Sequence, residues 1–125
     1  MVTVSIIEDD KHYREGLVNL VNDSGYFNVL HSYPSAEIAL PHIIAHPPSI
    51  TIVDIKLPGM SGVELIAAIK ESLPDTLCMV CSFYDDDEYV FNALKNGASG
   101  YILKDSMPKQ IIDSLKDLHQ GGAPM

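Results

Sequence analysis

The apolar run Ile50-Thr51-Ile52-Val53 ends on a lone carboxylate, Asp54, where a buried strand has no ordinary use for charge. Other apolar runs also end on groups capable of chemistry. Val2–Ile7 is followed by Glu8, Asp9 and Asp10; "TLCMVCS" ends on Ser82; "GYILK" ends on Lys104. Carboxylates gathered at one place repel one another unless a hard cation joins them, and Mg2+ takes one or two carboxylates together with waters and phosphate oxygens. A hydroxyl and an ammonium can each contact an oxygen of a phosphoryl group. An aspartate can itself be the nucleophile and form an aspartyl phosphate. In such a transfer, positioning and charge neutralisation do most of the work.

Each of these residues also has a plainer reading. Asp10 is well placed merely to cap the following helix. Ser82 can be a turn hydroxyl, and most lysines, like Lys104, are solvated. Asp54 is harder to dismiss, because no helix starts at it. The weight lies in all four standing at strand ends.

The elements that would bring these residues together follow from periodicity. Strand-like runs at Val2–Ile7, Tyr26–Ser32, Ile50–Val53, Thr76–Ser82 and Gly100–Lys104 alternate with helical patterns. The first helix has Tyr13, Leu17, Leu20 and Val21 at helical spacing and stops at Gly25. The second, Ser35–His46, is capped by Ser35, and Pro41 inside it is expected to kink or break it. The third runs from about Gly62 to Ser72, before Pro74. The fourth, "DDEYVFNALKNG", has acids first and Gly97 last, and the fifth, "MPKQIIDSLKDLHQGG", has Pro108 in its first turn. Alternating strands and helices predict an α/β fold, a doubly wound parallel sheet with helices on both faces. The near-continuous apolar strands fit a sheet buried on both sides. In an open parallel sheet the carboxyl ends of the strands share one edge, where ligands bind.

Composition narrows the function classes. The 125 residues suit one domain with a proper core. With 17 acids against 8 bases, a formal charge of −9 repels nucleic acid and anionic lipid, so no DNA contact by this chain is expected. No apolar run approaches the ~20 residues of a membrane span, and no basic, apolar leader is evident. Cys78 and Cys81 are spaced as Cys-x-x-Cys, but three residues apart on a strand they face opposite ways. They read as small core residues rather than as a disulfide or metal pair, which fits a reducing cytoplasm. His42 and His46 are four apart but lack a third ligand. "DDDE", Asp85–Glu88, reads as the acidic start of the fourth helix.

Four motifs, "SIIEDD", "IVDIKLPGMSG", "VCSF" and "ASGYILKD", occur in an order and at separations that resemble the receiver domain of two-component response regulators, over essentially the whole chain. "GYILKD" and a last helix ending in "GGAPM" resemble the NarL/LuxR-type members. The resemblance implies a flavodoxin-like five-stranded sheet in the order 2-1-3-4-5. It implies a receiver over residues 1–120, with 121–125 as the start of a linker to an effector domain. It implies a cytoplasmic phosphorylation switch, not an enzyme in its own right, that accepts a phosphoryl group from a histidine kinase. Asp54 would be the phosphoacceptor. Glu8, Asp9, Asp54 and the backbone carbonyl of Lys56 would hold Mg2+. Ser82 and Lys104 would bind the phosphoryl group, with Tyr101 as the aromatic that repacks. Lys56, Phe83 and Tyr84 flank the approach of water and would tune hydrolysis. Homodimerisation on phosphorylation and DNA contact through a C-terminal helix-turn-helix domain are further implications. Receivers commonly have proline after the lysine, joined by a cis bond. Here Asp105 stands there, and a cis bond before a non-proline costs roughly 3 kcal/mol, so trans is expected.

Two other classes share parts of this pattern. A haloacid dehalogenase-like phosphatase also uses an Asp nucleophile and Mg2+, but needs a second Asp two residues on, where this chain has Lys56. A flavodoxin-like cofactor carrier needs a phosphate loop after the first strand, where Glu8, Asp9 and Asp10 would repel phosphate.

Overall fold

The computed structural model of the chain describes residues 1–83 and 87–121. Strands and helices alternate: β1 (Val2–Ile7), α1 (Lys11–Asp23), β2 (Phe27–Tyr33), α2 (Ala36–Ala45), β3 (Ile50–Asp54), α3 (Gly62–Ser72), β4 (Leu77–Ser82), α4 (Asp87–Lys95), β5 (Gly100–Leu103) and α5 (Pro108–His119). The strands are all parallel, in the order β2-β1-β3-β4-β5. This is the expected doubly wound sheet. The chain leaves β1 towards one edge and returns through β3 towards the other, so the crevice lies beyond the ends of β1 and β3.

Alternation along each strand divides the core in two. Ile7, Val53, Cys78 and Val80 pack with α2, α3 and Ala93 of α4. Val4, Ile6, Ile52, Met79 and Cys81 pack with α1 and α5. Cys78 and Cys81 are therefore buried on opposite faces, both as free thiols. Among the described residues, no helix is long and apolar enough to cross a membrane.

Short polar side chains set the helix starts. Asp10 accepts from the N–H groups of His12 and Tyr13 at 3.0 and 3.2 Å, which answers two of the amides a helix start leaves unpaired. Ser35 accepts from Ile38 N–H, and Ser61 and Glu64 close a reciprocal capping box. Pro41 does not break its helix, because α2 runs through it from Ala36 to Ala45. Pro41 is exposed, and so is Glu37, the residue whose carbonyl the missing N–H would have met, so water can answer that carbonyl. β2 lies one residue later than expected, at Phe27–Tyr33. It is the edge strand, and between the buried Phe27 and Tyr33 its side chains are exposed or half-buried, so its apolar pattern marks its limits poorly. α4 starts at Asp87; Asp85 and Asp86 lie outside the described residues. No peptide bond among the described residues is cis, so Lys104–Asp105 is trans as expected.

One glycine holds the segment after β3 close to the next helix. A Cβ on Gly62 would stand 2.4 Å from the carbonyl oxygen of Asp54 and 2.9 Å from Cα of Ile55. Both are backbone atoms and cannot swing away. Gly62→Ala should therefore lower stability by about 1–3 kcal/mol, as overpacking does. Gly16, exposed on α1 with open space around its Cα, is the control: Gly16→Ala should raise stability by about 0.5–1 kcal/mol. Urea unfolding checks both. Gly62→Ala as stable as the parent would contradict the close approach.

Candidate functional site

The carboxyl ends of β1, β3 and β4 open into a cleft of about 210 Å³, walled by Glu8, Asp9, Asp54, Ser82, Phe83 and Lys104. Backbone bonds across the sheet fix these residues relative to one another. Ile55 N–H donates to the Cys81 carbonyl at 3.1 Å, and Lys104 N–H to the Ser82 carbonyl at 2.6 Å. Glu8 N–H donates to the Tyr33 carbonyl at 3.0 Å, and the Arg14 guanidinium donates to the Glu8 carbonyl at 2.7 Å.

At the floor lies a buried charge cluster. Glu8 is 2% exposed and Asp54 6%. The Lys104 ammonium pairs with Glu8 Oε1 and stands 3.3 Å from Asp54 Oδ2. The other carboxylate oxygens are also answered: Glu8 Oε2 accepts from Asp10 N–H at 3.0 Å, and Asp54 Oδ1 accepts from Lys56 N–H at 3.2 Å. Burial pushes the Glu8 carboxyl up, and the nearby Asp54 charge adds to this, while Lys104 and the Asp10 amide pull it down. For Lys104, burial works to lower the ammonium, but the Glu8 hydrogen bond and the Asp54 and Glu8 charges outweigh it, and the net shift is upward. The lysine thus stays charged and neutralises part of the acidic pair.

Glu8, Asp9 and Asp54 each offer a carboxylate oxygen within 4.8 Å of the others. Three hard oxygen donors, two of them buried and one exposed, fit a hard divalent cation rather than a soft one. Asp10 is outside this group, because its side chain is spent on the cap of α1.

The structure thus brings Glu8, Asp9, Asp54, Ser82 and Lys104 to one cleft, with Lys56 and Phe83 also on its walls. The Lys56 ammonium lies over the Tyr89 ring of α4, 5.1 Å from its centroid. Tyr101 stands apart from the cleft walls, half-buried on β5 against the core on the α3 and α4 side. Tyr84 lies outside the described residues. One neighbour of the site was missed. Tyr13 read as one more apolar position on α1, yet its ring centroid is 4.9 Å from the Lys104 ammonium and its hydroxyl lies 3.6 Å from Cys81 Sγ. The available signal was its place in the first turn after the acidic run, where a side chain reaches back over the sheet edge.

The sequence matches the response regulator receiver domain family over residues 4–116. It is 33% identical over 119 residues to the oxygen regulatory protein NreC of Staphylococcus carnosus (strain TM300), covering 94% of this chain and 55% of that protein. It is 31% identical over 121 residues to the DNA-binding transcriptional activator DevR/DosR of Mycobacterium tuberculosis (strain ATCC 25618 / H37Rv), covering 97% and 56%. The chain spans about half the length of these curated relatives. Among solved structures it is similar to the signal receiver domain of NarL from Mycobacterium tuberculosis, with a TM-score of 0.90 and 33% identity over 96% of this chain and 97% of that one.

The buried cluster yields a stability test in cation-free buffer. Lys104→Met leaves two buried carboxylates uncompensated and should cost about 3–5 kcal/mol. Asp54→Asn removes part of what the lysine neutralises. The double variant should therefore be more stable than the sum of the single changes, by about 1 kcal/mol or more. Strict additivity in denaturant unfolding would sink the ion-pair account.

Proposed function

The chain belongs to the response regulator receiver domain family, and we propose that it is a phosphorylation switch in which Asp54 accepts a phosphoryl group from a histidine kinase. The observation that carries this reading is the Asp54 carboxylate at the end of β3, beside the buried Lys104 ammonium and within ligand reach of Glu8 and Asp9. In the transfer, an oxygen of Asp54 bonds to phosphorus as the bond from phosphorus to the donor's imidazole nitrogen breaks, and the electron pair leaves with the imidazole. Glu8, Asp9, Asp54 and the Lys56 backbone carbonyl would hold Mg2+, which supplies positive charge to the phosphoryl oxygens. Lys104 shifts from Glu8 onto a phosphoryl oxygen, and the Ser82 hydroxyl donates to another. With Ser82 drawn inward, Tyr101 repacks against the core beneath α4, which turns a local charge into a changed surface. The domain assists its own phosphorylation and dephosphorylation and has no separate substrate to turn over.

Residues 1–120 act as the receiver, and 121–125 start the linker to an output domain. That output is a DNA-binding regulatory domain, as the name of DevR/DosR supports, and phosphorylation favours homodimers. The setting is cytoplasmic. The rival chemistries find less support. A dehalogenase-like phosphatase lacks its second acid, because Lys56 stands two residues after Asp54. A carrier of a phosphate-bearing cofactor would have to place its phosphate against Glu8, Asp9 and Asp10.

Incubation with Mg2+ and acetyl phosphate tests the acceptor. Asp54→Asn should abolish labelling, while Asp10→Asn should retain most of it; substantial labelling of the Asp54→Asn protein overturns the assignment. A second expectation concerns persistence. Lys56 and Phe83 stand on the cleft wall, where they would shield the acyl phosphate from an in-line water, and the resemblance to receivers gives Tyr84 the same part. Lys56→Asn or Tyr84→Ala should then speed loss of phosphate by more than about threefold, worth ~0.7 kcal/mol of barrier. If neither does, the shielding is wrong.

A further inference from the structure

The Lys104 ammonium has two kinds of neighbour. The carboxylates of Glu8 and Asp54 lie on one hand, and two aromatic rings on the other. The ring centroids of Tyr13 and Phe83 are each 4.9 Å from Nζ, and the rings are 6.3 Å apart with 54° between their planes. An ammonium has three N–H donors, and the two carboxylates answer two. The π faces of the rings offer negative potential to the rest of the charge. The two rings come from different elements, Tyr13 from α1 and Phe83 from the segment after β4. Tyr13 is held from beneath by the contact of its hydroxyl with Cys81 Sγ, and burial pushes both of these groups up, so they stay neutral beside the lysine. Among the described residues Phe83 has no such anchor in the core, and it is 54% exposed. A large apolar ring left half in solvent is explained if its face serves the cation.

We infer that Tyr13 and Phe83 are positioning residues, an aromatic cage that holds the Lys104 ammonium beside Asp54 so that an arriving phosphoryl group meets a cation already in place. The inference rests on Asp54 being the acceptor. Its physical content is narrower than shielding, because it requires rings and not merely bulk. A lysine stem carries much rotational freedom, and a cage that removes it beforehand leaves less to be lost when the phosphoryl oxygen binds. Without the rings, the ammonium keeps its attraction to Glu8 but loses the restraint that keeps it over the cleft.

The test compares changes that keep a ring with changes that remove it. Tyr13→Phe and Phe83→Trp keep a π face; Tyr13→Leu and Phe83→Leu remove it while retaining apolar bulk. The first readout is the Cε proton resonances of Lys104 in phosphate-free protein. Ring currents should hold them upfield of those of an exposed lysine, and they should move towards the exposed value in the two leucine variants. The second readout is the affinity for beryllofluoride with Mg2+, followed by NMR titration. It should weaken about three- to tenfold in the leucine variants and stay within about twofold of the parent in the ring-keeping ones. Should Tyr13→Leu fail to fold, the exposed Phe83 position decides alone. Parent Lys104 resonances at the exposed value, or equal weakening by ring-keeping and ring-removing changes, would overturn the cage. A parent that takes no beryllofluoride overturns the phosphoacceptor reading instead, and the resonances still judge the cage.

Discussion

Everything at the sheet edge is arranged around one buried cation. Lys104 places its ammonium between Glu8 and Asp54, where water is scarce and bare charge is costly. Burial pushes the Glu8 carboxyl up to about 7, so two carboxylates stand against one ammonium, and the cluster carries an excess of negative charge, only where Glu8 is ionised. That imbalance makes the site more than a structural ion pair. It leaves room for positive charge to be added beside Asp9, at the cleft's exposed side. A neutral or fully paired cluster would be a more stable floor and a poorer receiver of ligands.

The fold supplies the rigidity this imbalance requires. Glu8 is tied through its own amide, its carbonyl and one carboxylate oxygen, so its side chain cannot turn away to water. Asp54 is the last residue of β3, and the chain beyond it is drawn close to the start of α3 by the missing side chain of Gly62. The capping box of Ser61 and Glu64 fixes where that helix begins. Local features that read as ordinary helix and turn chemistry thus set the geometry of the charge cluster.

The convergence of Glu8, Asp9, Asp54, Ser82 and Lys104 was legible because parallel strands bring their carboxyl ends to one edge, so position along each strand decides which residues meet. The opposite faces of Cys78 and Cys81 followed from the twofold period of a strand in the same way. Tyr13 was not legible as a neighbour of Lys104. Helical periodicity tells which face a residue is on, not which atom of another element its ring will cover. Pro41 misled for a related reason: its cost depends on whether Glu37 is exposed, and that is a property of packing. The edge strand β2 was placed one residue early because its middle is not buried and so carries little pattern. The resemblance to receivers named a role for Tyr101, but its half-buried packing on the α3 and α4 side could be seen only in three dimensions.

The sheet separates two cores that share no helix. One is closed by α2, α3 and α4, the other by α1 and α5. Tyr101 belongs to the first, while Cys81 and the helix that carries Tyr13 belong to the second. A side chain that changes place in one core need not disturb the other, because strand backbones stand between them as a stiff partition. The molecule therefore has two sides of different character for anything that binds it. A partner resting on α1 and α5 would meet the same surface before and after a rearrangement beneath α4, and could serve as a constant mooring. If Tyr101 repacks as proposed, a partner resting on α4 would meet a surface that depends on the history of the cleft.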